Sequence, residues 1–225
     1  MIFILDPNDF SFPDPNLAEP EGIIAVGGDL NPIRLLNAYA SGIFPWYNPG
    51  QMILWWSLDH RMVLFPDEFR YSRSLCRVVK SGKFEVRTDT AFRQVMHHCA
   101  TTKRSDQDGT WITSEMLEAY CRLHDMGYAH SFETYHQGKL VGGLYGVSLG
   151  QAFFGESMFH TMTDASKVAF VRLVEFCRDH RFSLIDAQQQ TPHLASLGAR
   201  PIPRKQYLDI LYSLDYAKTL CGSWS

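Results

Sequence analysis

The chain has 225 residues, 45% hydrophobic and 20% charged, enough apolar material for one large globular domain or two smaller ones. A formal net charge of −3 argues against broad, sequence-independent nucleic-acid binding, while leaving room for a local basic patch. No apolar run reaches the roughly 18 residues of a membrane span, and the opening MIFILDPNDF lacks the basic start of a secretory signal, so the expectation is a cytoplasmic protein without a membrane partner.

Residues 1–30 are rich in Pro, Asp and Gly and read as extended or looped. Asn31 and Pro32 form an N-cap and first-turn pair, and Gly42 closes a helix of about 32–41 with Ile33, Leu36 and Tyr39 on one face. GIFPWYNPGQMILWWS, residues 42–57, then sets three tryptophans, a phenylalanine and a tyrosine among two prolines and two glycines. It is too punctuated for a long helix and reads as a loop able to grip a flat, bulky ligand. Near residue 62 the helix and strand patterns lengthen, dividing a small N-terminal domain (1–62) from a larger one (63–225).

Residues 72–80 predict a helix on which Arg73, Arg77 and Lys80 share a face, with Lys83 just beyond; RNA contact and a plain solvated face are the two readings. A strand over 83–87, a helix over 91–100 and a polar loop over 101–109 follow. Thr113 caps a helix whose buried stripe is Met116, Leu117, Tyr120 and Leu123, and Gly127 ends it. Residues 130–136 alternate as a strand, and KLVGGLYGV and QAFFGESMF, joined through Ser148, Leu149 and Gly150, form a hairpin. Asp164 is placed to cap a helix to about 179, 181–188 is a further strand, and Thr191 and Pro192 open a short helix that Gly198 closes. The order is mixed α/β, of the α+β kind, with an antiparallel hairpin at its centre.

Five cysteines, odd in number and without a CxxC pair, fit reduced and mostly buried thiols. His97, His98 and Cys99 are adjacent in a helix and point about 100° apart, which is poor geometry for a shared metal.

Three features conflict with a plain core. Glu156 lies in an apolar strand, so its carboxylate is either paired, protonated or at a cavity mouth, or it ends the strand in water. Asp186 and Gln188, at i and i+2 of a strand, share a face about 6.6 Å apart, and with Phe182 and Leu184 before them an apolar face turns polar at its end. Such an end is either a ligand site or an edge. Gly142, Gly143 and Gly146 weaken a strand unless something approaches its backbone or a bulge intervenes. Lys167, in the first turn of a helix, opposes the helix dipole unless an anion lies near or water solvates it.

GGDL (27–30), SGIFPWY (41–47), ILWWS (53–57), GTWIT (109–113), AYCRLHDMGYAHSFE (119–133), LVGGLYGV (140–147), FFGESMF (153–159), ASK (165–167), LIDAQ (184–188) and HLASLGA (193–199) together resemble the leucyl/phenylalanyl-tRNA–protein transferases. The resemblance implies a small N-terminal domain joined to a domain similar to the GNAT acyltransferases. It implies transfer of Leu or Phe, less readily Met, from aminoacyl-tRNA to the amine of a protein or peptide beginning with Arg or Lys. It implies that the product is marked for N-end-rule degradation and that no metal or organic cofactor takes part; a monomer is the expectation, which no sequence feature fixes. It places the catalytic groups on Asp186, Gln188 and Glu156. It places the aminoacyl pocket and terminal-adenosine contacts on Leu144, Phe153, Leu173, Ile185, Trp111 and Trp46, and tRNA contacts on Arg73, Arg77, Lys80 and Lys83. Leu58, His60, Tyr135, His160 and Ala187 depart from the family pattern, and none of them removes a proposed catalytic group.

Acetyl-CoA as donor fits poorly, because HTMTDASK (160–167) lacks the glycines of a pyrophosphate-cradling loop. A non-catalytic RNA-binding module would have no need of Asp186 and Gln188 together. A thiol hydrolase would need an activated cysteine, which no stretch here suggests.

Overall fold

The computed structural model describes residues 1–102 and 111–225, so the loop expected at 101–109 lies almost wholly outside the described residues. The first strands, β1 (Phe3–Leu5), β2 (Ile23–Gly27), β3 (Phe44–Pro45) and β4 (Leu54–Trp56), form a four-stranded sheet in the order β1-β2-β4-β3. Helix α1 (Pro32–Ala40) lies between β2 and β3 in the chain. The larger sheet takes β5 (His60–Leu64), β6 (Glu85–Thr88), β7 (Ala129–His136), β8 (Lys139–Leu149), β9 (Ala152–His160), β10 (Leu184–Gln188) and β11 (Arg200–Pro203) in the order β11-β5-β10-β9-β8-β7-β6. Among its described pairs only β9 and β10 run parallel. The helices are α2 (Arg73–Lys80), α3 (Phe92–Thr101), α4 (Ser114–Asp125), α5 (Ala165–Asp179), α6 (Pro192–Ser196) and α7 (Arg204–Ser213).

Helix α5 covers one face of the large sheet, against β7, β8 and β9, with α2 packed on it. Helix α3 covers the other face, with α4 beside it and α1 crossing α4. Two apolar cores result. One joins Ile24, Leu35, Tyr39 and Trp55 to Tyr120, Tyr145 and Phe154, so the first sixty residues and the large sheet share it. The other lies under α5 and contains Leu144, Phe153, Leu173 and Ile185. The mixed α/β expectation thus holds, and among the described residues no helix is long and apolar enough to cross a membrane.

Several local expectations need correction. Helix α1 is capped by Asn31 as expected, but it buries Arg34, Leu35, Ala38 and Tyr39 and leaves Ile33 exposed. Arg34 is buried because its guanidinium donates to Asp29 Oδ1 and to the carbonyls of Asp6, Pro7 and Asp9, which satisfies the charge inside. Asp164 does not cap α5: its backbone is left-handed and its carboxylate instead takes the Lys167 ammonium at 2.9 Å. That is the anion the lysine at a helix start requires. Thr113 does cap α4, accepting from Met116 N.

The aromatic stretch is a hairpin rather than an open loop, with Phe44 opposite Trp56 and Pro45 opposite Trp55. Trp55 is fully buried and donates to the Gly27 carbonyl; Trp56 donates to the Trp46 carbonyl, and the two indoles lie 5.5 Å apart. Most of these aromatics pack the shared core.

Two bulges sit side by side at the centre of the large sheet. Tyr145 faces Ser157 and Gly146 faces Gly155, so Glu156 is the extra residue of β9. Asp186 faces Val63 and Gln188 faces Met62, so Ala187 is the extra residue of β10. β9 and β10 stay paired only as far as Phe154 and Asp186, and beyond that they part. The glycines of β8 answer to this packing. A Cβ on Gly142 would stand 2.6 Å from Ala165 Cβ and 2.8 Å from its carbonyl carbon, at the start of α5. Gly142→Ala is therefore expected to destabilise the fold by about 1–3 kcal/mol through overpacking. A lower denaturation midpoint at unchanged slope is the check.

Candidate active site

The fork between β9 and β10 brings Glu156 and Gln188 together. Gln188 has a left-handed backbone, φ 52°, which turns its side chain so that Nε2 donates to Glu156 Oε1 at 3.1 Å. Tyr39 of α1 donates to the same oxygen at 2.7 Å, and Tyr120 of α4 donates to Oε2 at 3.1 Å. The two tyrosine hydroxyls also touch one another. Burial pushes the Glu156 carboxyl up to about 7, with the Asp186 charge adding to the rise and the tyrosine and Gln188 hydrogen bonds opposing it. Glu156 nevertheless keeps some exposure, so its surroundings are deep but not sealed. Burial, followed by the Glu156 charge, pushes both tyrosines well above their usual value. From about 4.5 to about 7 the folded chain holds the Glu156 proton and the unfolded chain does not, so this group's contribution to stability falls as pH rises through that window.

Asp186 lies beneath, fully buried. Its Oδ1 accepts from Arg61 Nε at 2.9 Å and from the Gln188 backbone N–H at 2.8 Å. Its Oδ2 accepts from Arg61 Nη2 at 2.8 Å and from Tyr207 of α7 at 2.6 Å. Both oxygens are therefore saturated, and the carboxylate meets the main chain of Gln188 rather than its amide. The i, i+2 spacing does not put both side chains to one use, because the extra residue Ala187 re-aims Gln188. Burial alone would lower the Arg61 pKa, but the Asp186 carboxylate outweighs it and raises the guanidinium further. Arg61 also lies over the rings of Phe44 and Tyr207, at 4.5 and 4.8 Å, and donates to the Gly42 carbonyl.

On the α5 side of the fork, a Cβ on Gly155 would meet only the Asp186 carbonyl oxygen, at 3.5 Å. The chain is thus lightly packed at Gly155, two residues along β9 from Phe153, whose ring lies in the core that also holds Leu144, Leu173 and Ile185. Trp46 and Trp111 are not with that group; both pack against the other core, where Tyr47 reaches Thr113. Arg73, Arg77, Lys80 and Lys83 are exposed, and none of them takes part in a described salt bridge. Among the described residues no group of three His, Cys, Asp or Glu side chains is placed to hold a metal; His98 stacks on Phe159 and Cys99 is buried.

Sequence reasoning missed Tyr39, Tyr120, Arg61 and Tyr207 as parts of this site. The available signal was weak: a buried tyrosine needs a partner for its hydroxyl, and Tyr39 and Tyr120 both fell on helix faces read as core.

A carboxyl tuned near neutrality beside an amide is able to exchange a proton, and the relatives of this chain make it an aminoacyltransferase. FemX, a solved structure, aligns with a TM-score of 0.52 at 10% identity over 79% of this chain and 70% of its own, a likeness of fold. The leucyl/phenylalanyl-tRNA protein transferase family model matches residues 63–212, and the model of that family's N-terminal domain matches 28–59. The leucyl/phenylalanyl-tRNA–protein transferase of Anaeromyxobacter sp. (strain Fw109-5) is 56% identical over 97% of this chain and 93% of its own length. That of Desulfatibacillum aliphaticivorans is 54% identical over 95% and 92%. The chain belongs to the leucyl/phenylalanyl-tRNA–protein transferase family.

Replacing Arg61 with Met keeps the volume but leaves Asp186 as an unpaired buried charge. The expected loss is about 3–5 kcal/mol, read from chemical denaturation.

Proposed function

We propose that this aminoacyltransferase moves Leu or Phe, and Met less readily, from tRNA to the α-amine of proteins beginning with Arg or Lys, with Glu156 as proton acceptor and Gln188 as the group that orients the amine. The observation that carries this reading is the Glu156 carboxyl held near pKa 7 and hydrogen-bonded to the Gln188 amide at the fork.

The ester of aminoacyl-tRNA is already activated, so no ATP enters. The amine nitrogen attacks the ester carbonyl carbon, a C–N bond forms, and the C–O bond to the terminal ribose breaks. The nitrogen's proton passes to Glu156, and the departing ribose oxygen takes one up. An α-amine of pKa about 7.7–8.0 is partly neutral near pH 7, and an acceptor of pKa about 7 is well matched to it. Gln188 holds the amine at the fork, with its own backbone fixed by Asp186. Asp186 is then a positioning residue, because Arg61 and Tyr207 occupy its oxygens. The aminoacyl side chain enters the recess over Gly155, among Leu144, Phe153, Leu173 and Ile185. The Glu156 carboxylate favours a cationic first residue on the acceptor. Trp46 and Trp111 sit on the opposite core, where they flank the approach of the terminal adenosine. The monomer acts in the cytoplasm, with the first sixty residues packed on the large sheet through the shared core.

The test uses tRNA charged with labelled Leu and an acceptor protein beginning with Arg. Label that becomes protein-bound, resists mild base and disappears when the first residue is Ala supports the reading. Absence of transfer with tRNA binding intact would point to a binding module instead. Glu156→Gln is expected to lower kcat about 100-fold and to remove the rise in rate through pH 7, leaving only the titration of the amine.

Arg73, Arg77 and Lys80 are proposed to meet tRNA phosphates. Changing all three to Gln is expected to raise KM for aminoacyl-tRNA at nearly constant kcat. It should also flatten the log–log salt dependence by about two to three.

A further inference from the structure

Beyond the last 3-10 turn (Tyr216–Lys218) the chain folds back over the large sheet. Thr219 Oγ1 accepts from Gly150 N at 2.8 Å, and Gly222 N donates to the Gly127 carbonyl at 3.2 Å. A Cβ on Gly127 would overlap Gly222, so the two backbones are in direct contact. Trp224 N then donates to Asp89 Oδ2 at 2.8 Å, and its indole enters a slot on the α5 side of the sheet. The His130 imidazole stacks on it at 3.5 Å, with planes 6° apart, and Phe176 of α5 stacks at 4.3 Å. Phe182 and Phe153 close the slot, with ring centroids at 6.0 and 6.2 Å. Asp89 also receives His130 Nδ1 at 2.8 Å, so one buried carboxylate fixes both the imidazole and the main chain of Trp224.

Phe153 is what connects this slot to the site. Its ring lies directly on the Gly146 backbone: a Cβ built there would stand 2.6 Å from Phe153 Cε1 and 2.7 Å from Cζ. The sheet therefore blocks the ring below and Trp224 backs it, while the lightly packed Gly155 lies two residues along the strand. Phe153 thus stands between the Trp224 slot and the aminoacyl recess proposed above.

We propose that Trp224 is a positioning residue that sets amino-acid specificity by fixing, through Phe153, the depth of the aminoacyl recess. This rests on the reading of that recess given under Proposed function. With the indole in place the partition cannot retreat, and side chains of Leu or Phe size fill the space. With the indole removed, Phe153 moves into the vacated slot and the recess deepens. One methylene more or less in such a pocket alters discrimination by about 10- to 200-fold, so a measurable shift in preference is expected rather than a new chemistry.

The test measures kcat/KM for tRNA charged with Leu, Phe or Trp, in the full chain and in Trp224→Ala, Trp224→Phe and Ile185→Ala. Trp224→Ala is expected to raise the Phe-to-Leu ratio about tenfold and to make transfer from Trp-charged tRNA detectable. Trp224→Phe keeps a ring between His130 and Phe176, and is expected to shift the ratio about threefold in the same direction. It decides the matter should Trp224→Ala fail to fold. Ile185→Ala enlarges the recess from within and reports on the recess itself. A shifted ratio in Ile185→Ala, with an unchanged one in both Trp224 variants, overturns the role of Trp224 and leaves the recess reading intact. An unchanged ratio in all three overturns both. Equal loss for all amino acids in the Trp224 variants marks a purely structural residue and also overturns the proposal.

Discussion

The buried pair of Arg61 and Asp186 is the interaction on which the site depends. Arg61 stands at the start of the large sheet, yet it reaches the Gly42 carbonyl and the Phe44 ring of the N-terminal hairpin. Asp186 stands in the middle of that sheet and receives Tyr207 from α7 and the Gln188 main chain. One ion pair therefore ties together the hairpin, the central strands and the helix after β11. A buried pair of this kind adds little net stability over apolar residues of similar volume, because both charges lose their water. It does make the arrangement specific, since any other register would strand one charge inside the protein. The two bulges become affordable in that setting: Gln188 can hold a left-handed backbone because its N–H is anchored to a carboxylate that cannot move.

Above this floor, Glu156 takes donors from three separate elements, α1, α4 and β10. Burial favours its protonated form, and the donors favour its ionised form. The outcome near neutrality comes from their opposition rather than from any single neighbour. On the other side of the sheet the core holds Leu144, Phe153, Leu173 and Ile185. The central strands thus carry a hydrogen-bonded carboxyl towards one core and apolar side chains towards the other.

Much of the local structure was legible in the sequence. Asn31 and Thr113 cap the helices expected of them, and the β8–β9 hairpin follows from its alternation and its turn. Glu156 was recognisable as misplaced in an apolar strand. Its partners were not, because Tyr39 and Tyr120 are 81 residues apart and their helices meet only in the folded chain. Period-two arithmetic assigned Asp186 and Gln188 a shared face, and one inserted residue, Ala187, gave them different tasks. Apolar periodicity also misread α1, since a charge satisfied by backbone carbonyls, as Arg34 is, buries like a large apolar group. The acceptor, the donor and the pocket came from resemblance, and no pattern of spacing would have supplied them.

The tyrosine of α1 carries a consequence for how Glu156 titrates. Tyr39 belongs to the first sixty residues, whereas the carboxylate it steadies belongs to the large sheet. With Tyr39 withdrawn, Glu156 would lose one of its three donors, so the protonation of this carboxyl is a property of the whole chain rather than of the sheet that carries it. A titration of Glu156 would thus report on the seating of the first helix as well as on the carboxyl itself.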